Sequence, residues 1–443
     1  MPVMSSPSFP AVSRRRFLEG LGSAALGFPF VARSLRAASV SGRVRHASFG
    51  LSGMAWGDLM ALASHPAVEV VAGCDVDDAA TAKFREKFPE ARVYRDYREL
   101  LEKEKDLQSV NVSTPDHMHA PMGLACLERG VHVYGQKPLA HDLAEVRRLT
   151  ETAAKRGLQT QMGIQVHSSK EYRTAVRWIQ EGCIGKVREV HTWSDKKWGD
   201  TGEMPAGGDP IPAGFDWNLW LGVCSERPYI GGKWYHPGQW RKRLDFGTGT
   251  FGDMGCHIFD PVFKALALSA PLRVTSTGAA PSAHSWATDA CVQYVFPGTP
   301  FTEGPTVAVT WYDGNRLPPE EVLKQARTED TPNPLPKQGS IFLGTHGVMV
   351  LPHVAMPRIL GGGKGDHEAE GASNHWHLFV DAVLGGAPCS AGFGYSGPLT
   401  EAVLLGSVAT RFPGKTLEWN AASQTFGGVE EANRYVGREY RKF

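Results

Sequence analysis

From Arg43 onward, short apolar runs alternate with stretches in which apolar residues recur every three or four positions. Residues 44–49, 68–74, 109–112 and a strand from 131, with a shorter run near Val93, read as strands. Residues 56–64, 79–87, 97–103 and a segment ending near Arg129 read as helices between them. Strands that alternate with helices in this way predict a doubly wound parallel sheet, with ligands taken at the carboxyl ends of its strands. Further along the rhythm loosens. Residues 297–305 and 316–339 are rich in proline, glycine and charge and read as loops, and 361–365 reads as a flexible glycine stretch. Helices near 374–384 and 398–410 are expected to return and pack on the first domain.

A chain of 443 residues exceeds the size at which one core stops growing, so two domains are expected. The division falls near residue 165, giving a first domain over 43–165 and a second over 166–443. A formal charge of +1 gives no reason to expect a nucleic-acid partner, and no stretch past the N-terminus is apolar enough to span a membrane. Residues 1–38 stand apart: Ser13-Arg14-Arg15-Arg16-Phe17-Leu18 precedes a small, apolar run, which reads as a twin-arginine export signal and a periplasmic destination. That pathway carries proteins already folded, commonly around a cofactor. The seven cysteines are scattered, without a C-x-x-C pair, which argues against a disulfide framework or a zinc cluster.

Gly50-Leu51-Ser52-Gly53-Met54-Ala55 follows the first strand and opens the first helix, the setting a dinucleotide fingerprint requires. Gly50 is expected to make the tight turn and Ala55 to permit close helix packing, while Ser52 takes the place of the glycine that faces the pyrophosphate. Gly53 and Met54 continue that cradle. Asp75 ends the second strand, where its carboxylate can accept from the adenosine ribose; Asp77 and Asp78 beside it would repel a 2′-phosphate, favouring NAD over NADP. After the fourth strand, Thr114 and Pro115 are expected to line the nicotinamide side, with His117 capping the next helix and His119 in the same cofactor segment. H-x-H without a third ligand does not make a metal site, and none is expected.

Gln136-Lys137-Pro138 closes the fifth strand, and Asp253-Met254-Gly255-Cys256-His257 lies in the second half. With the fingerprint, the Ile184-Gly185-Lys186-Val187 lead-in and the segment at 397–402, these motifs resemble the Gfo/Idh/MocA oxidoreductases over nearly all of the chain past residue 43. Family members carry Glu-Lys-Pro where this chain has Gln136-Lys137-Pro138, and the exchange is expected to remove a negative charge beside the lysine. The resemblance implies an N-terminal Rossmann domain and a C-terminal α+β domain with a large, open, mostly antiparallel sheet. It also implies Lys137, Asp253 and His257 around a substrate hydroxyl, bound NAD, a carbohydrate substrate, and a homodimer or homotetramer built through the sheet's free face. Gln136 joins the cofactor set, and Gln165, His167 and Tyr172 face the cleft by the same resemblance.

Asp253 and His257 are four apart and share a helix face. Thr248 and Thr250 are candidate N-caps, Pro261 should disturb a short helix, and glycines 247, 249, 252 and 255 are expected to let substrate approach. Oxidising a carbinol needs a base within reach of its hydroxyl. His257 or Lys137 is expected to take that proton, with Asp253 orienting the histidine. Six tryptophans fall between 193 and 240, with Arg241 just after the last; they can stack on sugar faces or anchor packing, and Trp240 and Arg241 are taken as substrate contacts. An exported enzyme has little free NAD to exchange. The expectation is therefore an oxidoreductase on a sugar, polyol or glycoside with tightly held NAD, the alternative being redox-neutral glycoside hydrolysis or elimination through transient C3 oxidation.

Overall fold

Six apolar runs pair edge to edge in parallel: β1 (Val44–Phe49), β2 (Val68–Cys74), β3 (Arg92–Tyr94), β4 (Ser109–Val112), β5 (His132–Gly135) and β6 (Thr160–Met162). The computed structural model describes residues 42–327, 335–362 and 368–443, so the export signal and part of the glycine stretch at 361–365 lie outside the described residues. The order β3-β2-β1-β4-β5-β6 reverses direction between β1 and β4, which opens a crevice at their carboxyl ends. Five helices cross between these strands: α1 (Gly53–Ala63), α2 (Asp78–Lys87), α3 (Tyr97–Lys103), α4 (His119–Glu128) and α5 (Leu143–Arg156). Asp77 and Asp96 cap α2 and α3 by accepting from Ala79 and Arg98 amides, and Gly157, at φ 62°, stops α5.

The second sheet has nine strands, in the order β13-β12-β11-β7-β10-β9-β8-β14-β15. These are β7 (Val187–Ser194), β8 (Arg273–Ser276), β9 (Cys291–Pro297), β10 (Thr306–Asp313), β11 (Gln338–Gly344), β12 (Gly347–Pro352), β13 (Arg358–Gly361), β14 (Thr416–Asn420) and β15 (Thr425–Gly427). β7 and β10 run parallel and the other pairs antiparallel, as the large, mostly antiparallel sheet expected from the resemblance. Helices α6 (Lys170–Gln180), α7 (Trp217–Leu221), α8 (Gly249–Ala265), α9 (Glu320–Gln325), α10 (His375–Val383) and α11 (Phe393–Ala409) complete the chain.

Strand alternation sends Trp311, Phe342 and Met349 to the face covered by α8 and α11, where Phe251 of α8 stacks on Trp311 at 4.8 Å. Trp193, Tyr312, Ile341 and Val350 point to the other face. There α9 covers them with Val322 and Leu323, so the segment at 316–339 read as loop contains a helix, and the face assigned to oligomer contact is partly occupied. Two apolar residues amid proline and charge were too weak a signal to show it. α11 begins at Phe393, well before the expected residue 398, and carries Pro398 inside it, because packing against α5 and α8 outweighs one missing N–H. α10 docks on α1 as expected: Trp376 donates to Asp58 at 2.9 Å, and His377 meets Ser64 at 2.8 Å.

Gly50 sits at φ 91°, and a Cβ there would lie 2.8 Å from the Ser113 carbonyl oxygen and 3.0 Å from the Ala55 Cβ. The turn that opens the crevice is therefore possible only for glycine. Gly50→Ala is expected to cost about 2 kcal/mol or more, from left-handed backbone strain and the clash, read as a lowered urea midpoint together with weakened NAD binding.

Candidate active site

The crevice begins at the turn from β1 into α1. Gly50 donates its amide to Cys74 O at 2.9 Å, and Ser52 is the extended N-cap of α1, its hydroxyl making no capping bond. Ser52, Gly53 and Met54 are exposed, so the free amides of the helix start face open space, a fitting seat for a pyrophosphate. Asp75 lies alongside, half-buried, its carboxylate accepting from the Leu51 amide at 2.8 Å and the Asp77 amide at 3.1 Å. Burial lifts its pKa to about 6 against the pull of those amides. Its remaining lone pairs are where ribose hydroxyls would donate. Thr114 and Pro115, at the end of β4, are half-buried and border the same space.

Three residues expected to touch cofactor lie behind this surface. His117 is fully buried between Trp220 and Phe246 and bonds Trp220 O through Nε2 at 2.9 Å; the short helix at Asp116–Met118 starts on Pro115, so His117 is not the cap. His119, also buried, reaches Pro138 O and Thr114 O, each at 2.7 Å, clipping the end of β4 to the turn that carries Lys137. Gln136 is buried too: its amide donates to Asp58 Oδ2 at 2.9 Å, and its Oε1 accepts from the Lys137 amide at 3.0 Å. Asp58 also accepts from Ser113 and Trp376 at 2.9 Å, and burial raises its pKa despite these donors. Gln136 thus stands against a second carboxyl, that of Asp58, whose burial favours the protonated form.

Lys137 reaches across the cleft from the first domain to α8 in the second. Its Nζ donates to both Asp253 O and Asp253 Oδ1 at 2.7 Å. Asp253 also receives Trp198 Nε1 at 2.8 Å and lies 3.4 Å from Lys196 Nζ and 3.6 Å from Arg241 Nε. Burial alone would raise the carboxyl; Lys137, Lys196 and Arg241 overturn it and hold Asp253 far below the usual carboxylate range. The aspartate therefore positions Lys137 rather than His257, as its oxygens are already taken by these donors.

His257 follows one turn later on α8, buried, with Nδ1 unpartnered. Burial, then the Lys137 charge and His353, depress its pKa well below 6.5, which keeps the imidazole neutral and able to accept a proton. His353, just past β12, lies 5.9 Å away ring to ring and is held by Tyr172 OH at 2.7 Å. Tyr172 thus enters the site through His353. α8 is longer than expected, at Gly249–Ala265, with Pro261 inside it. Thr248 is its N-cap residue, but the hydroxyl donates to Asp116 at 2.7 Å, and Thr250 accepts from the Trp198 amide at 2.7 Å. The helix glycines admit protein, not substrate: a Cβ on Gly252 would strike Thr248, one on Gly255 the Phe251 ring, and one on Gly249 Trp286.

Arg241 lies 4.3 Å over Trp240, and Trp198 is 5.6 Å from it. Trp240 is buried and donates to Pro237 O at 3.1 Å, so it supports the arginine. Trp193, Trp217, Trp220 and Trp234 serve packing, which leaves Trp198, half-buried, as the tryptophan of this stretch with a site contact. Gln165 is half-buried with an unpartnered Oε1. His167 lies apart from the lysine cluster, bonded to Asp260 at 2.8 Å and Ser390 at 3.0 Å on the wall of a separate cavity of about 710 Å³. Sequence reasoning missed Lys196, His353 and Asp58. Lys196 had one usable signal, its place just past the carboxyl end of β7; the other two had none.

Residues 44–164 match the family model described as an oxidoreductase family with an NAD-binding Rossmann fold, and 175–296 match the model of its C-terminal alpha/beta domain. Among curated relatives, inositol 2-dehydrogenase of Salmonella typhimurium is 32% identical over 126 residues, 28% of this chain and 37% of that one. Alpha-N-acetylgalactosaminidase of Shewanella oneidensis is 31% identical over 129 residues, 27% of this chain and 28% of that one. These alignments thus span only about a third of the relatives' length. Among solved structures, the WlbA dehydrogenase of Bordetella pertussis, in complex with NADH and UDP-GlcNAcA, shares the fold at TM-score 0.62 and 13% identity, covering 85% of this chain and 99% of that one.

The Gln136–Asp58 pair makes a sharp prediction. Gln136→Glu would set a second carboxylate against buried Asp58 and should cost about 3 kcal/mol, with Asp58→Asn in the same chain recovering most of it. Carboxyls whose native pKa is raised hold extra protons in the fold, so the loss should grow as pH rises from 5 to 8. Urea denaturation of the two single variants and the double variant across that range measures it.

Proposed function

The chain belongs to the Gfo/Idh/MocA oxidoreductase family, and on that premise we propose that it oxidises a carbinol carbon of a sugar, polyol or glycoside with tightly held NAD. Bound NAD supplies the hydride acceptor. The helix start at Ser52, Gly53 and Met54 would hold its pyrophosphate, Asp75 its ribose, and Thr114 and Pro115 its nicotinamide end. Lys137 spends two of its three donors on Asp253, so its third is the one aimed at a substrate oxygen. His257, kept neutral by burial, takes the hydroxyl proton as the hydride leaves the same carbon. The observation that carries this reading is a neutral imidazole with an unpartnered Nδ1, one helical turn from the aspartate that fixes Lys137 as a donor.

Retention of the cofactor is supported by a strap from the second domain. The Gly214 carbonyl accepts from the Asp78 amide at 2.9 Å, Asp216 donates to Val76 O at 3.0 Å, Phe215 bridges Asp77, and His236 lies 3.4 Å from Asp77. These contacts cross the adenosine end of the crevice just past Asp75. They rest on an aromatic core of Phe215, Trp217, Trp220, Tyr235 and Phe246. A captive NAD suits the periplasmic destination proposed from the twin-arginine signal. The redox-neutral glycosidase reading shares every one of these residues and is favoured by the galactosaminidase relative; release of nitrophenol from an aryl glycoside without net NADH would select it.

Denatured protein should release near-stoichiometric NAD(H) on mass spectrometry, and removal of the Phe215 side chain should shorten NAD residence by about tenfold or more; an empty protein with weak NAD binding would sink the captive reading. His257→Gln should lower kcat by about 10²–10⁴ on the sugar that a panel of polyols, aldoses and uronates identifies, with NAD still bound. Since only the neutral ring accepts a proton and its pKa is depressed, kcat/KM should stay level as pH falls through 6.5 and decline only in more acid solution. A midpoint at an ordinary histidine value would reject His257 as the base.

A further inference from the structure

Three cations converge on one carboxylate at the substrate side of the cleft. Lys137, Lys196 and Arg241 all lie within 3.6 Å of Asp253. The neighbouring acids are engaged elsewhere: Asp116 by the Thr248 hydroxyl, Asp200 by Arg243, Asp260 by His167 and Tyr395, and Asp313 by Trp311 and the Ala290 amide. His257 and His353 bring no charge, the latter pushed down to about 4 by burial and the two lysines. By formal charge, three cations against the single carboxylate of Asp253 leave this cluster a positive excess.

The donors that carry this excess have spare capacity and face solvent. Arg241 turns its Nε edge toward Asp253, while among the described residues its two terminal nitrogens meet no acceptor. Trp240 at 4.3 Å and Trp198 at 5.6 Å fix the plane of the guanidinium. The side chains of Arg241 and Lys196 are 28% and 43% exposed, against 14% for Lys137, so the inner cation is spent on Asp253 and the outer two are open. A planar fork held by stacking, with an ammonium beside it, matches the two coplanar oxygens of a carboxylate.

We propose that the substrate is a sugar acid, a uronate whose carboxylate is clamped by Arg241 and Lys196 while Lys137 and His257 address a hydroxyl of the same ring. Trp198, its indole N–H anchored on Asp253 and its ring half-buried, offers a face to the sugar between the two. This rests on the oxidoreductase reading above and names its substrate class. It assigns Lys196 and Arg241 as specificity determinants rather than groups that move the proton.

The test uses the full chain with its NAD(H) and compares D-glucuronate and D-galacturonate with D-glucose, D-galactose and D-glucose 6-phosphate by calorimetry and by NADH absorbance. At least one uronate should bind tenfold or more tighter than its neutral parent, and its affinity alone should fall as ionic strength rises. Arg241→Gln and Lys196→Gln should each erase about tenfold of that preference with NAD content intact, and Arg241→Lys should restore only part, since it returns the charge without the fork. Neutral sugars binding as tightly as uronates, the phosphate ester binding more tightly than both, or a preference unmoved by both glutamine variants would each overturn the proposal. The oxidoreductase reading fails separately, through absence of NAD or absence of NADH formation from a sugar that binds.

Discussion

The ion pair between Lys137 and Asp253 spans the cleft, and most of what surrounds it exists to make it tolerable. Withdrawing an aspartate and a lysine from water costs several kcal/mol per ion unless the geometry is good and the remaining lone pairs are met. Here the lysine is met twice by the same residue, through side chain and backbone, and the carboxylate gains Trp198 as a neutral donor. One partner grows from the end of β5 and the other from near the N-terminal end of α8, so the contact also sets the distance between the two domains. Neither residue can be moved without moving a whole layer of the structure, which is the kind of rigid mounting a reacting site requires.

On the proposed reading, that pair also bears on which group acts as base. A lysine that donates to two acceptors is committed as a donor, and its charge discourages a second cation nearby. His257, one turn along α8 and buried, responds by staying neutral. On the proposed reading, the choice left open between lysine and histidine falls to environment: donor and acceptor roles separate because one group is paired and the other is not. Asp253 takes part by fixing the donor, a different task from orienting the histidine.

The first domain was largely legible because a parallel sheet buried on both faces leaves nearly continuous apolar runs, and β1, β2 and β4 lie where those runs are. Gly50 and Asp75 were readable for a similar reason: each answers to a local geometric demand, a left-handed turn or an acceptor at a strand end. What could not be read was convergence. Arg241 could be read as a substrate contact from its aromatic neighbours and Lys196 had its place just past β7, but nothing in the sequence shows that they meet at one carboxylate with His353 beside them. The tryptophans show the limit clearly, since Trp198 and Trp193 are five residues apart, yet one meets the site and the other is core. Gln136 misled by its plainness: its amide binds the buried carboxyl of Asp58, a residue 78 positions away in sequence.

The strap over the crevice links the site's chemistry to its cofactor economy. Its backbone contacts run to Val76, Asp77 and Asp78, immediately past the residue that would hold the ribose, while its aromatic core continues into Trp240 and hence to the base of Arg241. One element thus borders both the nucleotide end and the substrate end of the cleft. Opening it to release a dinucleotide would break the contacts at Val76 and Asp78 and loosen the platform under the guanidinium at the same time. On the proposed reading, cofactor exchange would also disrupt the substrate subsite, and a protein built this way would gain most when the dinucleotide stays in place and only the smaller substrate comes and goes.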